Sequence, residues 1–457
     1  MAISSVGAGS GILTQDVLDQ LRKADETGRI TPLTLKIANE KDKKDALEVL
    51  DAQMTNLADA IKEISSNSLF DERSTEVTGT AVSVTADANS DLQDITLEVT
   101  QLATKHIEES GSFDNEDVLV AGGAGQINLN IDGKDFKIDY DATTTLKELK
   151  NLINDVAGSN VDATLVNMGA NDTRLFISSV ETGSTQNITV TNVSGSAIDA
   201  KITSMTDVQT GVNAKFKFNG GTTEIERSSN QVDDLITGYK ITLKEVGTSN
   251  VNVSQNRENI HTKIDSFVEK YNSAIEGLEK ITKSSTDSDE RGIFSNESII
   301  KGMKSKIENM LKTIGGGVGT LLDYGFDVNK DGKMSVDKDV INTKLDENST
   351  NFTAFFSGGT YTKEDGSTVD LTGVFDDMST TIEGYTKYNA ILDQYKTTIT
   401  DSTSALEERK ALETEKLDAK YEILKKQFIA YDIMISRFNS ASSMFSQMIT
   451  AQNAANN

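Results

Sequence analysis

Residues 417–449 read LDAKYEILKKQFIAYDIMISRFNSASSMFSQMI. Within them Leu417, Tyr421, Leu424, Phe428, Tyr431, Ile435, Phe438, Ser442, Phe445 and Ile449 follow one another in strictly alternating steps of four and three. That spacing is the seam of a coiled coil, and one position, Ser442, is polar. At 1.5 Å per residue the helix would run about 50 Å, longer than a compact domain requires. Burying the nine large side chains would contribute on the order of 15–25 kcal/mol before ordering entropy is subtracted. A solitary helix cannot hide that surface. The segment Ile12, Leu13, Val17, Leu18 and Leu21 is an intrachain partner but is far shorter, so other subunits are expected to complete the seam. The competing reading is an intramolecular helical hairpin with no assembly role.

Working outward, helical spacing occurs on both sides of a long β-rich stretch. Thr31-Pro32-Leu33 looks like a helix start, with Thr31 as N-cap and the chain's single proline at the first helical position. Leu47, Leu50, Met54, Leu57, Ile61 and Ile64 then mark one helical face. From about Arg73 the period changes to two, in Val82/Val84 and Ile95/Leu97/Val99. Ile127, Leu129 and Ile131 lead to Asp132-Gly133, after which Phe136, Ile138 and Tyr140 lead away, the pattern of a hairpin closed by a type I′ turn. A short helix is expected over Leu146, Leu149 and Leu152-Ile153. Alternating runs continue at Val161/Ala163/Leu165, Leu175/Ile177, Ile188/Val190, Phe216/Phe218, Ile241/Leu243 and Val251/Val253.

Helical spacing returns at Ile260, Ile264, Phe267, Tyr271, Ala274, Leu278 and Ile281. A further helix carries Ile300, Met303, Ile307, Met310 and Ile314 and should stop at Gly315-Gly316-Gly317. Another is expected from Val374 through Met378, Ile382, Tyr385, Leu392, Tyr395 and Ile399. Apolar helical faces from both chain ends need partners, and one bundle built from both ends supplies them. The expected class is therefore α+β and multidomain: terminal coiled-coil arms and a helical-bundle leg from both ends, with inserted β-rich head domains.

Composition narrows the chemistry. With 71 acidic against 45 basic residues the formal net charge is −26, which disfavours nucleic acid and anionic membranes as partners. There is no Cys and no Trp, and the only histidines are His106 and His261. That excludes disulfides, thiolate metal sites and multi-histidine zinc sites. The opening Ala2-Ile3-Ser4-Ser5-Val6-Gly7-Ala8-Gly9-Ser10-Gly11 lacks the basic and apolar regions of a signal peptide, so an uncleaved N-terminus is expected.

Three motifs mimic functional sites. Asp327, Asn329, Asp331 and Gly332 match the first half of a calcium loop, but position twelve is Lys338, so a tight turn between strands is expected. Gly122-Gly123-Ala124-Gly125 precedes a hairpin where a dinucleotide site needs a helix. Glu108-Glu109 reads as a solvated face rather than a catalytic dyad. No catalytic residue, cofactor site or metal site is expected, and the chain is not expected to be an enzyme.

Five stretches resemble the flagellar hook-associated protein 2 family, the flagellar filament cap. They are Gly9-Ser10-Gly11-Ile12 with Pro32-Leu33; Ile95 to Val99 followed by Thr100-Gln101-Leu102-Ala103; and Asn130 to Lys134, through Leu146, Leu149 and Ile153-Asn154, to Arg174-Leu175-Phe176-Ile177-Ser178-Ser179 with Thr182-Gly183. The fourth is Asn230, Val232, Ile236-Thr237-Gly238 and Ile241-Thr242-Leu243. The last is Asp323-Tyr324-Gly325, Asp331-Gly332, Ser335-Val336-Asp337 and Phe355-Phe356-Ser357-Gly358, an ending that flagellin lacks.

The resemblance implies type III export without a cleaved signal peptide, a homo-oligomeric ring at the extracellular tip of the bacterial flagellum, and promotion of flagellin incorporation beneath it. Implied partners are further copies of the chain, flagellin, the hook-filament junction proteins and a dedicated export chaperone contacting Leu417 to Ile449. Neither nucleic acid nor membrane is an expected partner. The corresponding division is 1–42 with 412–457 as the arm, 43–74 with 257–411 as the leg, 75–104 with 205–256 as a β-rich head, and 105–204 as a second, inserted β-rich head domain with a short helix. The alternative is a surface adhesin whose β-rich head binds host or abiotic glycans.

Overall fold

The computed structural model describes residues 14–195, 197–311 and 318–455. Gly9-Ser10-Gly11, Ile12 and Leu13 lie outside the described residues, as do Ile314 and Gly315-Gly316-Gly317. The chain divides into two units, one from both ends (Met1–Ser66 with His261–Asn457) and one from the middle (Asn67–Ile260). Helical ends enclosing a β-rich middle are thus the observed α+β, multidomain order.

The first end contributes α1 (Gln15–Arg29) and α2 (Thr31–Ile64). The expected N-cap, Thr31, is already helical. Ile30 joins the two helices in a right-handed helical conformation, its N–H donating to the Glu26 carbonyl at 2.8 Å, so the chain needs no side-chain cap there. The whole Leu47 to Ile64 stripe is buried on α2.

The middle unit comprises α3 (Asn67–Asp71), β1 (Arg73–Thr78), β2 (Val82–Ala86), β3 (Asp94–Gln101), β4 (Ile107–Glu109), β5 (Gly125–Ile131), β6 (Lys134–Tyr140), α4 (Leu146–Ala157), β7 (Val161–Gly169), β8 (Asp172–Ser179), β9 (Thr189–Gly195), α5 (Ala200–Thr203), β10 (Thr206–Gln209), β11 (Ala214–Phe218), β12 (Ile225–Arg227), β13 (Gln231–Val232), β14 (Tyr239–Leu243) and β15 (Gly247–Gln255). It holds two hydrophobic cores. One lies between the sheets β1-β15-β3-β11-β12 and β13-β14-β2, around Leu97, Phe216, Tyr239 and Val251. The other gathers Ile127, Leu129, Ile138, Leu149, Ile153 and Ile177 from β10-β4-β8-β7, β6-β5-β9 and α4.

Local chemistry explains these elements. Asp132 and Gly133 both take positive φ, 50° and 71°, so the β5–β6 hairpin closes through a type I′ turn, with Ile127 opposite Ile138 and Leu129 opposite Phe136. A capping box starts α4: the Thr145 side chain accepts from the Glu148 N–H, and the Glu148 carboxylate accepts from the Thr145 N–H at 2.8 Å. Gly125 opens strand β5, so the glycine cluster presents no helix N-terminus to a phosphate. The solvated face expected of Glu108-Glu109 does not form: Glu108 is buried, and Glu109 pairs with Arg174.

The second end adds α6 (Arg257–Thr282), α7 (Ser298–Met310), a single 3-10 turn (Leu321–Tyr324), β16 (Phe326–Val328), β17 (Met334–Val336), α8 (Lys338–Ser357), β18 (Gly359–Thr362), β19 (Thr368–Leu371), α9 (Val374–Thr386) and α10 (Ile391–Ala455). The calcium-like segment is the β16–β17 turn. The Asn329 side-chain oxygen accepts from the N–H groups of Asp331 at 2.9 Å and Lys333 at 3.0 Å, so it closes the loop on itself. Phe355 stacks on Tyr324 at 3.9 Å and Phe356 on Phe352 at 4.2 Å, while Phe375 meets Phe267 edge-on at 5.0 Å. The Phe355-Phe356 pair therefore anchors a core. Gly358 follows it at φ +88°, where an added Cβ would lie 2.9 Å from the Thr372 carbonyl oxygen.

The single helix expected from Val374 to Ile399 is two. Lys387 leaves α9 in an extended conformation and Asn389 turns at φ 59° before α10 begins. Among the described residues, no helix is long and apolar enough to cross a membrane.

Candidate functional site

α10 carries the heptad seam, and its 65 residues span about 95 Å. Its first turns belong to the helical core, where Leu392 and Ile399 are buried and Lys396 pairs with Asp51 of α2 at 2.5 Å. Leu417 and Tyr421, the first two seam residues, are buried together with Leu18 of α1, and Ile30, Leu424 and Phe428 pack against that cluster. Val17 is half-buried and Leu21 is exposed.

Charge complements this small apolar contact. Arg29 of α1 pairs with Glu413 at 3.5 Å, Asp25 with Lys420 at 2.6 Å, and Arg22 with Asp418. Arg29, late in α1, pairs with the earlier Glu413, and Asp25 and Arg22 pair with the later Lys420 and Asp418, so the two helices run antiparallel. The Tyr421 hydroxyl donates to Asp25 at 2.9 Å. The Lys420 ammonium first, and the Tyr421 hydroxyl next, hold the Asp25 carboxyl below its ordinary range. Burial, then that same bond to Asp25, raises the Tyr421 hydroxyl.

Beyond Phe428 the seam changes character. Tyr431, Ile435, Phe438, Phe445 and Ile449 are all exposed, from 37% at Ile435 to 77% at Phe438. Ile433, Met434, Met444 and Met448 are exposed beside them. Met434, Met444 and Met448 add flexible, polarisable side chains to this exposed apolar surface. Among the described residues, α1 covers the first part of the seam, while the large apolar side chains from Tyr431 to Ile449 are exposed.

Sequence reasoning missed the polar half of the α1 contact. Its signal was present: Arg22, Asp25 and Arg29 recur at steps of three and four beside Leu18, with Glu413, Asp418 and Lys420 of matching charge on α10. Pairing them requires knowing the register between helices nearly 400 residues apart.

The helical unit from both ends and the β-rich middle define a multidomain α+β protein with an open terminal helix. Residues 10–106 match the family model described as flagellar hook-associated protein 2 N-terminus, and residues 211–440 the one described as flagellar hook-associated protein 2 C-terminus. The chain belongs to the flagellar hook-associated protein 2 family.

Flagellar hook-associated protein 2 of Campylobacter jejuni is 26% identical over 416 residues; the match covers 78% of this chain and 64% of that relative, so the chain spans just under two thirds of its length. The protein of the same name from Aeromonas caviae is 23% identical over 477 residues, covering 99% of both. Among solved structures, the D1-D2-D3 domains of the flagellar cap protein FliD from Escherichia coli match with a TM-score of 0.58 at 22% identity, over 77% of this chain and 99% of that one. That likeness is one of fold.

Proposed function

We propose that this chain is a structural flagellar filament cap. It is exported through the flagellar type III channel, forms a homo-oligomeric ring at the extracellular filament tip, and promotes incorporation of flagellin beneath that ring. Family membership supports the flagellar role. The observation that carries the assembly reading is the open half of the α10 seam, Tyr431 to Ile449, which leaves large apolar side chains in water until neighbours dock.

In this proposal 1–42 with 412–457 is the arm and 43–74 with 257–411 the leg, while 75–104 with 205–256 and 105–204 are the two head domains. The covered half of the seam, Leu417 to Phe428, keeps α1 on α10, and the open half meets the filament, the hook-filament junction proteins or other copies. Before assembly a dedicated chaperone covers the exposed stretch of the seam, Tyr431 to Ile449. The N-terminal arm includes Ile12, Leu13, Val17, Leu18 and Leu21. The contact is small, which suits an arm that must hold and yet move. The glycan-binding alternative has no observation in its favour.

Electron microscopy of cells lacking this protein tests the proposal. Loss of filaments, with flagellin released into the medium, is the expected result, and normal filaments would contradict it.

A further inference from the structure

The short strand β4 sits between β8 and β10, with Glu108 directly opposite Ile177 on one side and Asp207 on the other. Directly opposed residues share a face, so Glu108 points to the side where Ile177 enters the hydrophobic core. The residue is 8% exposed. Among the described residues, no hydrogen bond and no lysine or arginine meets its carboxylate, and the charge that acts on it is that of Asp207. An ionised carboxylate in this position is unfavourable unless something positive accompanies it. Burial first, and the Asp207 charge second, push its carboxyl up to about 7.

His106 stands two residues before Glu108, and ligand atoms of His106, Glu108 and Asp207 all lie within 4.8 Å of one another. The imidazole is already committed. Its Nδ1 accepts the Ile188 N–H at 3.0 Å, which places the ring proton on Nε2, and Nε2 lies 3.2 Å from the exposed Asp207 carboxylate. A metal on Nε2 would require a proton on Nδ1, facing the Ile188 N–H. His106 therefore offers no lone pair, and it orients Asp207 instead.

We propose that Glu108 and Asp207 bind a single hard, oxygen-seeking divalent cation, of which calcium is the fitting example, with His106 positioning Asp207 and water completing the shell. Two carboxylates with no nitrogen donor favour calcium over zinc. The ion would fasten β10, an edge strand whose pairing shifts between Asp207 and Gln209, to the sheet.

Calorimetric titration of calcium chloride into the full chain, in mildly alkaline buffer with enough salt to suppress diffuse binding, tests this. The expected result is one saturable site and a calcium-dependent rise in Tm. Glu108→Gln and Asp207→Asn should each weaken the site roughly tenfold or more, while Asp87→Asn, just past the end of β2, should not. Asp207 is exposed, so its variant folds even where Glu108→Gln does not. Absence of a saturable site, equal binding by Asp207→Asn, or zinc binding more tightly than calcium would each overturn the assignment.

Discussion

The Tyr421 hydroxyl of α10 donates to the Asp25 carboxylate of α1 at 2.9 Å, joining residues 396 apart in the chain. Lys420 meets the same carboxylate at 2.6 Å, so Asp25 is the polar centre of the contact that holds α1 on α10. Both groups favour the ionised acid, and both are lost to it on protonation.

This gives the contact a pH dependence of known sign. Because the folded-state pKa of Asp25 is lowered from 3.8, its contribution is complete above that value and is lost as the pH falls through the lowered one. Hydrogen exchange of α1 amides should accelerate in that acidic range relative to α2. Asp25→Asn should modestly speed exchange of α1 amides at neutral pH and remove this part of the acid response.

Leu18 is the apolar anchor of the same contact. Leu18→Ala should cost about 2–5 kcal/mol locally, toward the lower end because the cluster is small. Limited proteolysis should then release α1 while the Tm of the remaining chain stays unchanged.

The aromatic core around Phe356 belongs to the helical unit proper. Phe356→Ala removes a fully buried ring that stacks on Phe352, and should cost about 3–5 kcal/mol. Chemical denaturation monitored by far-UV circular dichroism should report a large loss from the helical unit.

Phe438 and Phe445 should behave oppositely. They are exposed, so Phe438→Ser and Phe445→Ser should change monomer stability by no more than about 0.5 kcal/mol. The same pair should abolish chaperone co-purification, a readout that folding alone does not move.

The repeating patterns were legible because they are dictated by burial on one face. Ile127 to Tyr140 announces its hairpin through alternation and Asp132-Gly133, and Leu47 to Ile64 announces its helix through spacing. Leu417 to Ile449 likewise announces one continuous face, but periodicity cannot say where a partner stops. Only the structure shows that, among the described residues, the covered part ends at Phe428.

Other features were hidden for identifiable reasons. Tyr385 and Leu392 are seven residues apart, so the spacing ran straight across the break at Lys387 to Ala390, where an asparagine supplies the turn that a glycine or proline would have advertised. Glu108 escaped because a charged residue on the inner face of a strand breaks the alternation that identifies inner faces. The Asp25 contact escaped because its partners lie at opposite ends of the chain.

Sedimentation velocity of the purified full chain over a wide concentration range shows whether the exposed seam drives assembly. Concentration-dependent assembly is expected of the native chain and none of the Phe438→Ser, Phe445→Ser double variant. A native chain that stays strictly monomeric at high concentration, or a double variant that assembles equally well, would contradict that role for the seam.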